Sequence, residues 1–311
     1  MRRAIAAIVA ILGVLLSGCS PAWTGATAAE VARREVRVVA TTNFIADLAR
    51  EVGGRRVDVT GLMGPGVDPH LYKASAGDVR HLVGADLVLY GGLELEGKMS
   101  DAFDRLADQR PTAAVTDAIP RDRLRAEPRY PDRYDPHVWF DPTLWRYAVD
   151  ATAAALARVD PGHADHYAAN ARGYRREVAE LDAWAERTLA TVPREQRVLV
   201  TSHDAFRYFG ARYGIDVVPI QGVSTATEAT TADIERVAEV IAERQVKAVF
   251  VESSVPPQTI DAVLASAARR GHRARIGEAL FSDAAGAAGT PEGTYAGMLR
   301  HNVRALVEGL R

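Results

Sequence analysis

Four side chains that could bind a divalent metal ion share a type of location. Each comes just after a predicted strand or at the end of a predicted lobe. They are His70, His137, His203 and Asp283. Because ligands of open α/β sheets bind beyond the carboxyl ends of the strands, we expect these side chains to face one cleft. Three imidazoles and one carboxylate suit a divalent first-row metal such as zinc, and the carboxylate extends the range to manganese. Four protein ligands would give zinc a closed tetrahedral shell.

The composition of the 311-residue chain limits the chemistry further. A single cysteine excludes a disulfide framework and a cysteine-based zinc finger, so a bound metal must take His, Asp or Glu ligands. With 38 basic and 40 acidic residues the formal charge is −2, which provides no basic surface for a nucleic acid partner. A hydrophobic content of 48% with 25% charged residues is typical of a globular protein, and the length predicts about two domains.

Several acidic residues near the predicted strand ends could orient the ligand imidazoles through hydrogen bonds. They are Asp68, Asp135, Asp141 and Glu252. Each of the three aspartates precedes a proline, and Asp-Pro is also a turn-forming pair, so turn formation is the alternative interpretation.

The other five histidines are expected to be ordinary surface or core residues. They are His81, His163, His166, His272 and His301. His163 and His166 are three residues apart and could bind a metal together, but the neighbouring carboxylates Asp160 and Asp165 account for them without one.

Two stretches of the chain alternate strand and helix patterns, which predicts βαβ units and parallel sheets. In the first stretch the predicted elements are, in order, 35–40, 43–52, 56–62, 75–83, 86–90 and 96–107. In the second they are 197–201, 205–213, 216–220, 231–244, 246–251, 259–270, 274–280 and 294–310. The pattern therefore predicts two α/β lobes, over residues 33–159 and 193–311.

Residues 160–192, between the lobes, have apolar side chains at spacings of three, four and seven, which predicts one long helix. Over residues 164–190 it would be about 40 Å long, enough to run along both lobes. The predicted fold class is α/β, with two lobes, each a mostly parallel sheet flanked by helices, joined by one long rigid linker helix. A stiff linker predicts small lobe movements, with release by loosening of one ligand loop.

The N-terminus carries a targeting signal. Two arginines precede an apolar run of thirteen residues, 4–16, which is too short to span a bilayer and fits the hydrophobic region of a signal peptide. The run ends Leu-Ser-Gly-Cys, which resembles a bacterial lipoprotein signal, and this implies that Cys19 is acylated after residues 1–18 are removed. The small and polar residues that follow predict a flexible tether over 19–32.

The motifs around the candidate ligands resemble those of the TroA-like metal-binding solute-binding proteins of ABC importers. The motifs are GVDPHLYKASA (66–76), LELEGKM (93–99), DPHVWFDP (135–142), TSHDAFRYFG (201–210), PIQGVSTA (219–226), VFVESSVP (249–256) and the segment 281–295. The resemblance covers essentially the whole chain after the signal peptide. It implies two lobes joined by one long helix, with the metal between the lobes.

The resemblance also implies that His70, His137, His203 and Asp283 are the metal ligands. Family members regarded as manganese or iron binders usually have glutamate at the third position, and many zinc binders have histidine, as here in His203. Imidazole in place of carboxylate shifts preference toward zinc. Dedicated zinc binders often have a histidine-rich loop before the second ligand, whereas residues 119–134 contain no histidine, so manganese stays open as the alternative.

The predicted function is therefore capture of Zn²⁺, or alternatively Mn²⁺, and its delivery to the membrane permease of the cognate importer. We expect a monomer on the extracytoplasmic face of the cell membrane, anchored in the lipid through acylated Cys19, and not an enzyme. One alternative is a zinc hydrolase in which Asp283 is the base, although there is no H-E-x-x-H helix. Another is a surface adhesin in which the metal is only structural.

Overall fold

In the computed structural model, which describes residues 26–127, 130 and 132–311, the N-terminal lobe is built on one four-stranded sheet. Its strands are β1 (Val36–Ala40), β2 (Val57–Gly61), β3 (Leu87–Tyr90) and β4 (Thr112–Ala114). Their order is β2-β1-β3-β4, and every pairing is parallel. All carboxyl ends of these strands therefore lie at one edge of the sheet, as the alternating pattern predicted.

Helices α1 to α4 belong to this lobe: α1 (Ala28–Val31), α2 (Asn43–Gly53), α3 (Ala76–Gly84) and α4 (Ser100–Ala107). The helix predicted over 96–107 begins instead with a short 3-10 turn, Gly97–Met99. Helix α1 falls within the segment predicted as a flexible tether. Thr27 and Glu30 form a capping box there, and Val31 is buried at 2% exposure, so the last residues of that segment pack on the lobe.

A helix that the sequence analysis did not assign, α5 (Pro142–Val159), follows the N-terminal sheet. Asp141 accepts a hydrogen bond from the backbone N–H of Thr143 at 2.8 Å and Pro142 occupies the first turn, which is a favourable helix start. The helix packs along the linker helix and buries Leu144 and Trp145.

The linker is α6 (Ala164–Leu189), a helix of 26 residues and about 39 Å. Its first half contacts the N-terminal lobe, where Asn170 donates a hydrogen bond to the carbonyl of Val52 at 3.0 Å. Its second half contacts the C-terminal lobe, where Asp182 accepts hydrogen bonds from Tyr213 at 3.0 Å and Arg212 at 2.8 Å. The long linker helix predicted from the sequence is confirmed.

The C-terminal lobe repeats the strand order of the first. Its strands are β5 (Val198–Thr201), β6 (Asp216–Pro219), β7 (Ala248–Val249) and β8 (Arg275–Ile276). The pairs β5-β6 and β7-β8 are parallel, and a bridge between Thr201 and Phe250 joins them into the order β6-β5-β7-β8. The helices of this lobe are α7 (Arg207–Tyr213), α8 (Thr231–Glu243), α9 (Gln258–Arg269) and α10 (Tyr295–Leu310). The predicted fold class is thus confirmed.

The last two strands are shorter than predicted over 246–251 and 274–280. Each has only two residues in the ladder, and an isolated bridge pairs Glu252 with Leu280 further on. Gly277 lies between these pairings, and the ring of Phe250 occupies the space where a Cβ of residue 277 would be, 2.5 Å from it. The ring therefore packs directly on the backbone of Gly277, whose N–H still donates a hydrogen bond to the carbonyl of Val249 at 2.8 Å. Beyond residue 25, no helix in the described part of the chain is long and apolar enough to cross a membrane.

An ion pair whose carboxylate is buried, at the amino end of β3, stabilises the N-terminal lobe. The carboxylate of Asp86 accepts hydrogen bonds from the Arg34 guanidinium at 2.6 and 2.9 Å and from the backbone N–H of Arg37 at 2.9 Å. Burial opposes ionisation, but these hydrogen bonds outweigh it and lower the pKa of Asp86 from 3.8 to about 2.

Because the folded-state pKa lies below the unfolded value, this stabilisation is complete above about pH 4 and is lost as the pH falls toward 2. We expect Asp86→Asn to lower the free energy of unfolding at pH 7 by about 2 kcal/mol and to flatten its decline between about pH 4 and 2. Urea titrations at several pH values measure this. Asp58→Asn, an exposed position on β2, is the matched control and should change stability by less than about 0.5 kcal/mol. Equal stability of Asp86→Asn and wild type at pH 7 would contradict the assignment.

Candidate metal centre

The structure brings all four candidate ligands together between the lobes. His70 lies in the loop after β2, His137 just before the 3-10 turn Val138–Phe140, His203 after β5 and Asp283 after β8. Each offers one ligand atom, and these four atoms all lie within 4.8 Å of one another. His70 is 4% exposed and the other three side chains are completely buried. The N-terminal lobe provides two of the four and the C-terminal lobe the other two.

Four of the distances between the candidate ligand atoms are those expected around one small metal ion. The Nε2 atom of His137 lies 3.4 Å from Nε2 of His70, 3.3 Å from Nε2 of His203 and 3.3 Å from Oδ1 of Asp283. The Nε2 atom of His203 lies 3.3 Å from Oδ2 of Asp283. Ligands at about 2.1 Å from a tetrahedral centre are about 3.4 Å from one another, so the arrangement fits zinc coordination.

Of the four acidic residues expected to orient the candidate ligands, two contact an imidazole ring. Asp135 Oδ1 lies 2.7 Å from Nδ1 of His137, and Glu252 Oε2 lies 2.5 Å from Nδ1 of His203. With Nδ1 carrying the proton, each carboxylate turns the lone pair of Nε2 toward the centre and raises the basicity of the ring. Asp68 instead accepts a hydrogen bond from the backbone N–H of His70 at 2.8 Å.

Asp141 does not face the centre, because its side chain caps α5. For Asp141, the alternative interpretation therefore holds: the Asp-Pro pair shapes the local backbone and does not orient a ligand imidazole.

The buried charges of the centre favour a cation. Burial lowers the pKa of His70 to about 3. Burial would also lower the pKa of His137, but its hydrogen bonds to Asp135 and Asp283 outweigh this and raise the pKa to about 9. Burial disfavours the charged form of His203 as well, yet the charges of Glu252 and Asp283 raise its pKa well above 6.5. Burial would raise the pKa of Asp283, but His203 and His137 lower it well below 3.8.

Hydrogen bonds between the lobes hold the Asp283 loop, and the sequence analysis did not foresee them. Trp139 donates its indole N–H to the carbonyl of Ser282 at 3.0 Å. Asn43 accepts a hydrogen bond from the backbone N–H of Ala285 at 2.8 Å and donates one to its carbonyl at 2.7 Å. Trp139 could be suspected of a role at the site because it lies two residues after His137, but nothing in the sequence distinguishes Asn43.

Four of the five histidines expected to be ordinary residues have contacts that require no metal, and the fifth, His81, is exposed. His163 pairs with Asp160 at 2.9 Å, and the rings of His166, His272 and His301 contact backbone carbonyl oxygens at 2.8 to 3.1 Å. In the described part of the chain, no second group of three or more His, Cys, Asp or Glu side chains converges in the way a metal requires.

Residues 38–309 match the family model described as zinc-uptake complex component A, periplasmic (ZnuA). The chain belongs to this family of metal-binding, substrate-binding proteins of ABC importers. The family resemblance inferred from the motifs is confirmed. Members are solute-binding proteins and not enzymes, so the hydrolase and adhesin alternatives are not favoured.

Two curated relatives match the chain from end to end. The manganese-binding lipoprotein MntA of Bacillus subtilis is 45% identical over 313 residues, covering 100% of both chains. The zinc-binding protein TroA of Treponema pallidum is 44% identical over 311 residues, covering 100% of this chain and 99% of TroA. The solved structure of the latter, the periplasmic zinc-binding protein TroA, superposes with a TM-score of 0.86 over 89% of this chain and 99% of that chain.

The Asp135–His137 pair provides a test of how the centre is tuned. We expect Asp135→Asn to lower metal affinity about tenfold or more, because the amide no longer stabilises a strongly basic, correctly turned imidazole. Isothermal titration with Zn²⁺ and with Mn²⁺ measures this. Asp117→Asn, an exposed acid of the same lobe, is the control and should bind as wild type does. An unchanged dissociation constant for Asp135→Asn would show that the carboxylate does not tune the site.

Proposed function

We propose that this chain captures a divalent transition metal ion between its lobes, with His70, His137, His203 and Asp283 as the ligands, and delivers it to the membrane permease of an ABC importer. The convergence of three imidazole nitrogens and one carboxylate within 4.8 Å of one another carries the proposal, with His137 Nε2 at 3.3 to 3.4 Å from each of the other three. Solute-binding proteins of ABC importers work with a permease, and family membership supports the same role here.

The residues around the ligands prepare the centre for the ion. Asp135 and Glu252 hold two rings with Nε2 toward the cargo, so little reorientation is needed when it arrives. Because their pKa values are raised, the rings of His137 and His203 hold an extra proton when no metal ion is bound, and metal binding displaces these protons. The absence of exposure at three of the ligands excludes bulk water from the bound ion.

We propose zinc as the preferred ion, with manganese as the alternative. The relatives do not decide this, because the two that match end to end are named for different metals at nearly equal identity. The ligand set favours zinc, since it holds three imidazoles and one carboxylate where manganese prefers more oxygen ligands. We propose that His203 determines the selection of zinc over manganese.

The full chain, offered Zn²⁺ and Mn²⁺ in equal amounts, should load zinc, and His203→Glu should shift the ratio toward manganese because a hard oxygen ligand replaces nitrogen. Elemental analysis after equilibrium dialysis, with competition calorimetry, measures both. His272→Glu, a histidine outside the centre, is the matched control. Tighter manganese binding by wild type would overturn the choice of zinc, and an unchanged ratio in His203→Glu would show that His203 is not the selector.

We further propose that the protein is a monomer anchored on the extracytoplasmic face of the membrane through acylated Cys19. The supporting sequence, residues 1–25, lies outside the described residues, so the argument rests on the Leu-Ser-Gly-Cys signal. The relative MntA of Bacillus subtilis, similar over its whole length, is named a lipoprotein. One acyl chain gives only marginal binding, so stable anchoring requires at least two.

Expression of Cys19→Ser in a bacterium should move the protein out of the detergent-soluble membrane fraction, because the sulfur that carries the lipid is gone. Cell fractionation and intact-mass analysis measure this. Ser20→Ala, one residue further on, should stay in the membrane fraction. Membrane retention of Cys19→Ser at the wild-type level would contradict lipid anchoring at that residue.

A further inference from the structure

The enclosed centre raises the question of how the ion enters and leaves. Of the four ligands, His70 lines a cavity of about 300 Å³ that opens to solvent between the lobes. The walls of this cavity come from both lobes and include Leu93, Tyr134 and Val223. His70, in the loop of residues 64–72 (the His70 loop), therefore lies between this cavity and the other three candidate ligands.

The other three ligands are held by contacts that do not easily open. His137 and His203 are each fixed by a fully or nearly buried carboxylate. The Asp283 loop is bonded to the N-terminal lobe by Trp139 and by the paired hydrogen bonds of Asn43. Moving any of these ligands would break buried polar contacts without water to replace them, which is costly.

The opposite wall of the cavity is also anchored. The buried carboxylate of Glu96 accepts hydrogen bonds from the hydroxyl of Thr41 at 2.6 Å and from the backbone N–H of Gly91 at 2.7 Å. These bonds hold the turn in which Leu93 and Glu94 have positive φ angles of 53° and 62°. A turn fixed in this way is unsuited to repeated opening, whereas the wall that contains His70 has, among the described residues, no such buried carboxylate behind it.

A hydrogen bond joins the His70 loop to the opposite lobe. Asp68 Oδ2 accepts a hydrogen bond from the hydroxyl of Thr225, in the loop between β6 and α8, at 2.6 Å. The other oxygen of Asp68 accepts a hydrogen bond from the backbone N–H of His70 at 2.8 Å. The same carboxylate therefore connects His70 to the facing lobe. Leu71, the residue after His70, is 48% exposed, so the apolar contacts of the loop come from other residues, which pack on the N-terminal lobe.

This bond lies between two solvent-accessible spaces. On one side is the cavity that His70 lines, with Val223 and Ser224 from the C-terminal lobe. On the other is a cavity of about 390 Å³ lined by Asp68, Leu71 and Thr225. Breaking the bond would merge the two spaces, and water could replace it on both partners at low cost because both are only partly buried.

We propose that the Asp68–Thr225 hydrogen bond is a latch between the lobes that controls how fast the metal ion enters and leaves through the His70 loop. The latch rests on the proposed metal-binding function. It assigns Asp68 and Thr225 as positioning residues that act on the rate of exchange through His70. Because opening is needed in both directions, loss of the latch accelerates association and release together and leaves equilibrium affinity nearly unchanged.

The test compares Thr225→Val, which removes the hydroxyl and keeps the shape, with Thr225→Ser, which keeps the hydroxyl. Zn²⁺ release from the full chain in detergent micelles is followed in a stopped-flow instrument with an excess of a colour-forming chelator, at several chelator concentrations. We expect Thr225→Val to release Zn²⁺ about tenfold faster and to bind it correspondingly faster, with the dissociation constant changed by less than about threefold. Thr225→Ser should exchange as wild type does.

A double-mutant cycle checks that the pair acts as one unit. Asp68→Asn/Thr225→Val should release Zn²⁺ no faster than the faster single variant, because the bond can be lost only once. Additive effects of the two changes would overturn the latch. Faster release with unchanged association and a lowered melting temperature would also overturn it, because that combination indicates general loosening of the fold.

The latch and the metal-binding function fail in different ways. Wild-type protein that binds Zn²⁺ while Thr225→Val exchanges it at the wild-type rate would overturn the latch alone. Wild-type protein that binds neither Zn²⁺ nor Mn²⁺ would overturn the proposed function, and the latch with it.

Discussion

The three carboxylates buried in one small region between the lobes are the constraint on which the rest of the structure depends. Asp135, Glu252 and Asp283 are at most 4% exposed, and burying an ionised carboxylate without a compensating cation is costly. Protons on His137 and His203 compensate part of this charge, and a divalent ion at the centre compensates more. The affinity for a cation therefore follows from the fold itself, because folding brings these anions together.

Positioning such a centre requires two rigid bodies and a stable relation between them. Each lobe presents the carboxyl edge of a parallel sheet in the same strand order, so ligands from four separate loops meet at one place. Helix α6 contacts both lobes along about 39 Å, and the hydrogen bonds of Asn43 and Trp139 cross the interface beside the ligands. Small ligand-loop movements are consistent with this architecture, whereas a wide opening of the lobes would break these contacts.

The sequence allowed the candidate ligands to be proposed because their positions follow from simple rules. His203 and Asp283 follow predicted strands, and imidazole and carboxylate are the ligand types that suit a divalent metal ion. The cross-lobe partners could not be found in this way. Asn43 and Ala285 are 242 residues apart, and the choice of partner depends on how two complete lobes pack.

Local signals were also insufficient for some elements. Helix α5 was missed although Asp141 and Pro142 form a good helix start, because the same Asp-Pro pair is also a turn signal. The lengths of β7 and β8 were overestimated, because an apolar run does not show where backbone pairing stops, and each strand has only two residues in the ladder. Periodicity alone therefore does not set these element boundaries.

X-ray absorption spectroscopy of the zinc-loaded full chain tests the central claim most directly. We expect a shell of three nitrogen ligands at about 2.0–2.1 Å with carboxylate oxygen at about 2.0–2.2 Å, and the loss of one imidazole from that shell in His203→Ala. A spectrum dominated by oxygen ligands, or an identical spectrum for wild type and His203→Ala, would contradict it.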